Sequence, residues 1–158
     1  MNSQLEDVIA HGCDVPAGWA AMSDTLFHYT CADHGYRGIL RTGLVMPYPQ
    51  PVLLGQPVSW WTDLALPDPT ALGLTRNVLR CDRTEQRFET HRVDLLTPWW
   101  EFARNVLGES RRRLEAAGAP RHWWVATLPV PAVSTLRVTC DAIERLRATG
   151  DTPVVTDP

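Results

Sequence analysis

Three adjacent side chains, His28, Tyr29 and Thr30, bring an imidazole, a phenol and a hydroxyl to the close of a short apolar run, Leu26-Phe27. Hydrogen-bonding groups placed where a buried strand runs out are ready material for a small-molecule site. A second apolar run, Val58-Ser59-Trp60-Trp61, again ends in polar residues, Thr62 and Asp63. The turn Asp82-Arg83-Thr84-Glu85 adds a guanidinium and a carboxylate. His28-x-x-Cys31-x-x-His34 also has metal-ligand spacing, but a structural zinc takes four ligands. No second close pair is present, since Cys81 and His91 stand ten positions apart. A Cys–His nucleophilic pair would need an activated thiol, and nothing marks any cysteine here as activated.

Composition narrows the chemistry. All 15 basic residues are arginine, which excludes lysine nucleophiles, Schiff bases and the P-loop. The formal net charge of -3 argues against a nucleic-acid binder held by long-range charge. With 158 residues, 44% of them hydrophobic and 21% charged, the chain reads as one globular domain, able to bury roughly two thirds of its unfolded surface. No run approaches the ~18 apolar residues of a membrane span. The opening MNSQLEDVIAHG lacks a basic start followed by an apolar core, so no signal peptide is expected. The four cysteines form no CxxC pair, which suits reduced thiols and a cytoplasmic setting.

The elements that must position these groups follow in order. Residues 1–24 read as an N-terminal arm, 25–150 as the domain and 151–158 as a flexible tail. Leu26 to Tyr29 predicts a buried strand. Asp33 to Thr42 predicts a helix with a narrow apolar face (Tyr36, Ile39, Leu40), stopped by Gly43 in a left-handed conformation. Pro47, Pro49 and Pro51 are expected to prevent regular sheet pairing. Further strands are expected over 57–63, near 78–82, near 86–93, over 122–128 and over 133–139. Thr97-Pro98 reads as a capping hydroxyl followed by proline at the first helical position, opening one helix that runs to Ala117. Glu109 and Arg113 pair along it for a few tenths of a kcal/mol. A last helix is expected over 141–149. Several short strands with unlinked helices give an α+β fold. Three Trp-Trp pairs, 60/61, 99/100 and 123/124, stand out. On strands, neighbouring rings point to opposite faces, so one indole of a pair can enter the core while the other walls a cleft.

The run Phe27-His28-Tyr29-Thr30, the helix with Gly38-Ile39-Leu40, and the exit Gly43-Leu44 with Pro47 together resemble the opening of ADP-ribosyltransferase-like domains. RNA 2'-phosphotransferases and DNA-modifying toxins of that fold begin in a similar way. The resemblance is carried by Thr25–Pro47; beyond it, only strand order and approximate length agree. It implies split antiparallel sheets around a nucleotide cleft that holds NAD. His28 would then bond a ribose hydroxyl, and Thr30, beside Tyr29, would hold the adenosine side. Ser59-Trp60-Trp61-Thr62 takes the place of the strand that carries the nicotinamide-stacking ring, with Trp61 as that ring and Thr62 beside it. The family's glutamate is matched best by Glu85, with Glu89 second and Glu115 and Glu144 behind.

Cleaving the nicotinamide–ribose bond builds positive charge at the anomeric carbon, where a carboxylate is worth several kcal/mol in a dry site. The diphosphate calls for guanidinium forks, here from Arg76, Arg83 or Arg87. Each group also has a plainer reading. His28 is then a hydrogen-bonded structural histidine, Trp61 is core, and Arg83 with Glu85 forms a solvated turn. Arg111-Arg112-Arg113 reads as the wet face of its helix or as a phosphate contact. Three functions are therefore expected in turn: ADP-ribosyl transfer from NAD to a nucleic acid, protein or small-molecule acceptor; RNA 2'-phosphotransfer; or a non-catalytic nucleotide-binding or interaction protein of the same fold.

Overall fold

The computed structural model describes residues 24–32, 35–74 and 82–139, together with Ala142 and Ala148. The expected strand near 78–82, the terminal helix over 141–149, the arm and the tail lie outside these residues or almost wholly so.

β1 (Leu26–Thr30) is the apolar run ending in His-Tyr-Thr. It is followed by α1 (Tyr36–Thr42), which Gly43 ends at φ 69°, its N–H donating to the Ile39 carbonyl at 2.7 Å. That stop is the one the glycine implies, because only a residue without Cβ takes the left-handed conformation at little cost. β2 (Leu44–Val45) and β3 (Tyr48–Gln50) come next, then a 3-10 turn and β4 (Gln56–Thr62). Further along the chain come β5 (Gln86–Thr90), β6 (Thr97–Pro98), α2 (Trp99–Phe102) and α3 (Gly108–Glu115). β7 (Trp123–Ala126), β8 (Val130–Pro131) and β9 (Ser134–Arg137) follow.

The result is an α+β arrangement with antiparallel sheets. Among the described residues, seven strands form one sheet in the order β6-β7-β4-β1-β5-β9, with β3 also paired to β4, and β2 and β8 form a small second sheet. β1 thus lies in the middle, flanked by β4 and β5.

Two expectations are corrected. The prolines do not prevent pairing: Tyr48, Pro49 and Gln50 stand opposite Val58, Pro57 and Gln56. Pro49 faces Pro57, and neither has an N–H to donate. The two occupy a non-hydrogen-bonded position, and the ladder runs through the pairs on either side. The single helix over 97–117 is two short helices. Thr97 and Pro98 pair with Val125 and Trp124, so Pro98 ends a strand instead of opening the helix body. Val106 and Leu107 are extended, with ψ 137° and 135°, and separate α2 from α3. The break lets Trp99 and Ala103 enter the core while α3, which has no buried residue, lies on the surface. Glu115 of α3 ties the two together by accepting from the Trp99 indole N–H at 2.9 Å. The Glu109–Arg113 pair is present at 2.6 Å.

Both faces of the large sheet carry a core. One contains Leu26, Ile39, Val45, Trp61, Phe88, Ala126 and Val130. The other contains Leu53, Val58, Trp99, Ala103, Trp123 and Val125, with Trp60 packed against it. Alternation along β4 therefore sends Trp60 and Trp61 into different cores. Trp60 meets Trp99 at 5.5 Å and Trp123 at 6.0 Å between ring centroids.

Candidate functional site

Strand register sorts the candidate residues by face. Opposite residues share a face and neighbours alternate. His28 stands opposite Phe88, and Thr30 opposite Gln86. These four lie on the face of the Trp61 core, and Trp61 itself stands opposite Trp124. Tyr29, opposite Arg87, lies on the other face with Phe27 and Thr62. The structure thus brings together His28, Thr30 and Trp61 but separates them from Tyr29 and Thr62.

His28 is fixed by a 2.8 Å bond from Nδ1 to the Trp60 carbonyl oxygen. A carbonyl can only accept, so Nδ1 carries the proton and Nε2 is a bare acceptor. Burial holds the imidazole pKa below its ordinary 6.5, outweighing the bond to Trp60, so the ring is neutral at pH 7. Among the described residues Nε2 has no partner. The ring leans on Trp61 at 5.5 Å between centroids.

Trp61 is 2% exposed and donates its indole N–H to Ser59 Oγ at 2.9 Å. It therefore backs His28 from within the core and presents no open face. The half-buried ring beside it on the same face is Trp124. Thr62 is 1% exposed, and its hydroxyl accepts the Leu64 N–H, closing the end of β4. Tyr29 donates to the Leu64 carbonyl at 2.9 Å. Its phenol pKa is pushed upward by burial, against the opposing field of Arg87.

Glu85 is carried to the end of β1 by the Thr30–Gln86 pairing. Its Oε2 accepts the Ala32 N–H at 3.2 Å, and its Oε1 lies 3.6 Å from the Arg137 guanidinium. Arg83 is exposed, in a turn closed by Asp82 accepting the Thr84 N–H. Arg76 and Glu144 lie outside the described residues. Glu89 accepts from Ser134, and Glu115 holds Trp99 and Arg111, so both serve the fold.

Arg87 is buried on the Tyr29 face. Its guanidinium lies 4.6 Å from the Phe27 ring centroid and donates to the Ala65 carbonyl, while its Nε finds no acceptor among the described residues. Gln86, 4% exposed on the His28 face, has a side-chain oxygen without a donor among the described residues. Sequence reasoning missed Gln86, because an orphaned atom depends on its neighbours in space. It also missed His122, whose Nδ1 lies 2.7 Å from Asp63 Oδ1 across 59 residues. His122 borders a groove of about 490 Å³ walled by Leu64, Thr70, Gly118 and Arg121. Arg121 Nε donates to the other ring nitrogen of His122 at 3.1 Å.

Among the described residues, no three His, Cys, Asp or Glu side chains are grouped to hold a metal ion, and no helix is long and apolar enough to cross a membrane. Comparison with protein-family models, with curated proteins and with solved structures finds no match for this chain.

Proposed function

We propose that the His28 face of β1 binds the sugar of NAD and that the protein is an ADP-ribosyltransferase-like enzyme, moving ADP-ribose to a nucleic acid, protein or small-molecule acceptor. The observation that carries this reading is the imidazole of His28. It is locked by Trp60 at one nitrogen and leaves a neutral acceptor at the other, which suits a ribose hydroxyl. Glu85 stands at the end of the same strand and supplies the carboxylate that opposes positive charge at the anomeric carbon. In the reaction the bond from C1′ to the nicotinamide nitrogen breaks and nicotinamide leaves with the bonding pair. The acceptor nucleophile bonds C1′ and releases its proton.

A second reading rests on Glu85 as well. Its oxygens already meet the Ala32 N–H and Arg137, as they would in a protein that binds nucleotide without turnover. Nicotinamide release from NAD by the purified protein separates the two. Release that disappears in Glu85→Gln while NAD binding persists supports transfer. Binding without release supports the second reading, and absence of NAD binding overturns both.

A further inference from the structure

The groove that His122 borders, about 490 Å³, falls in the size range of small-molecule sites, roughly 300–1,000 Å³. Its walls are mostly small and apolar, with Leu64 and four alanines among the lining residues. Two stretches of chain build them, within 64–71 and 116–122, and these are tied to each other. The Ala119 N–H and the Trp123 indole N–H both donate to the Ala71 carbonyl oxygen, each at 2.8 Å. Gly118 approaches so closely that a Cβ would stand 2.6 Å from the same oxygen. The hollow is therefore formed before any ligand arrives, which spares the ordering cost of binding.

The titratable groups lining it, among the described residues, are Asp68, Arg121 and His122. Asp68 is engaged in its own turn, where Oδ1 accepts the N–H groups of Thr70 and Ala71. His122 is the middle of a chain of three. Its Nδ1 donates to Asp63 Oδ1 at 2.7 Å, and its Nε2 accepts from Arg121 Nε at 3.1 Å. A guanidinium can only donate, so Nε2 is bare and the ring is neutral in this arrangement. The imidazole is 15% exposed and Asp63 25%, so the ring is open to solutes. A second proton would turn Nε2 from acceptor to donor, with Asp63 still holding Nδ1–H and opposing the new charge. Arg121 Nε–H and His122 Nε2–H would then be neighbouring donors on cationic groups, an arrangement matched by one oxyanion placed between them. The negative charge of Asp68 limits the ligand to a single anionic head.

We propose that this groove is a second ligand site, for a small organic monoanion. The apolar body of the ligand lies along the alanine wall, and its anionic head bridges Arg121 and His122, which takes up one proton from solvent as the ligand binds. None of the described residues read as NAD contacts lines the groove, so the proposal stands apart from the reading of the His28 face.

The test is calorimetric binding of the full chain to benzoate, benzenesulfonate and benzamide between pH 5.5 and pH 8, the range over which imidazole titrates. Benzenesulfonate keeps its charge throughout, so any change in its affinity belongs to the protein. It is expected to bind about tenfold more tightly at pH 5.5 than at pH 8, because binding takes up a proton. Benzamide, of the same shape without the charge, is expected to bind at least about tenfold more weakly than benzoate at pH 5.5. Heats measured in buffers of different ionisation enthalpy are expected to show uptake of up to one proton per benzenesulfonate bound. His122→Gln is expected to weaken the sulfonate at pH 5.5 by about tenfold and to flatten its pH dependence. Asp63→Asn repeats the measurement should that variant fold poorly, and the wild-type heats stand without either. Equal affinity for benzoate and benzamide, sulfonate binding without proton uptake, or an unchanged pH dependence in folded His122→Gln overturns the proposal. So does absence of binding by all three probes.

Discussion

The Nδ1 of His28 lies 2.8 Å from the main-chain carbonyl oxygen of Trp60, so the side chain of the central strand is anchored to the backbone of the strand beside it. The bond fixes which nitrogen holds the proton. Because Trp60 is itself wedged among Trp99 and Trp123 on the far face, the imidazole is positioned by packing on both sides of the sheet.

That arrangement has a pH signature. Burial keeps the folded-state pKa of His28 below 6.5, the value it regains on unfolding. The unfolded chain therefore binds more protons in this range, and stability from this group rises with pH. The contribution is complete above pH 6.5 and is lost as pH falls through the folded value. Urea midpoints measured from pH 8 to pH 5 should fall more steeply for the wild type than for His28→Gln. Parallel curves would show that the imidazole carries no such penalty.

Glycines at two positions should respond in opposite directions to alanine. A Cβ at Gly118 would meet the Ala71 carbonyl oxygen at 2.6 Å, Trp123 Cζ2 at 2.7 Å and the Gly73 nitrogen at 2.8 Å. Two of these are backbone atoms that cannot swing aside, so Gly118→Ala should cost about 1–3 kcal/mol. Gly38 sits inside α1 with nothing within 4 Å of an added Cβ, and Gly38→Ala should gain about 0.5–1 kcal/mol. Chemical denaturation of the two variants checks the pair, and the same sign for both would contradict the described backbone.

Arg87→Met tests the cost of an enclosed charge. The guanidinium has a carbonyl, the Tyr29 phenol and an aromatic face but, among the described residues, no carboxylate, and its Nε is unsatisfied there. Replacing such a group with an apolar side chain of similar reach should leave unfolding free energy within ~1 kcal/mol of the wild type. A loss of ~3 kcal/mol or more would mean that the cation is needed by the fold.

Leu54 is the one described residue other than glycine with positive φ, at 56°, and it is 76% exposed. Its side chain gains little from burial while its backbone sits in the region that disfavours Cβ. Leu54→Gly should therefore hold stability or raise it by up to ~1 kcal/mol, read as a shift in melting temperature. A drop of several degrees would show that the exposed leucine has a packing role.

What the sequence disclosed and what it hid have separate physical causes. β1, α1 and the Gly43 stop were legible because apolar spacing and a missing Cβ act locally. The opposed Trp60 and Trp61 were legible because strand alternation is fixed by geometry. The break at Val106 and Leu107 was not, since the apolar spacing of Phe102, Val106, Leu107 and Leu114 is helical throughout. The demand that Trp99 be buried decides there. β3 was hidden because prolines argue against pairing unless they face each other. At the site, the nearness of Glu85 to β1 follows from register, and the interior position of Trp61 from the packing of Ile39, Phe88 and Ala126 around it. Neither is written in local spacing.

The doubled indole of β4 has a consequence for how the strand finds its place. A slide by one position would still offer a tryptophan to each side, so bulk alone does not forbid the wrong alignment. The choice falls to smaller cues: the facing prolines, Ser59 beneath the indole nitrogen of Trp61, and the tight Leu54-Gly55 corner that fixes where the hairpin begins. Correct threading of the central sheet is thus decided at its least bulky positions.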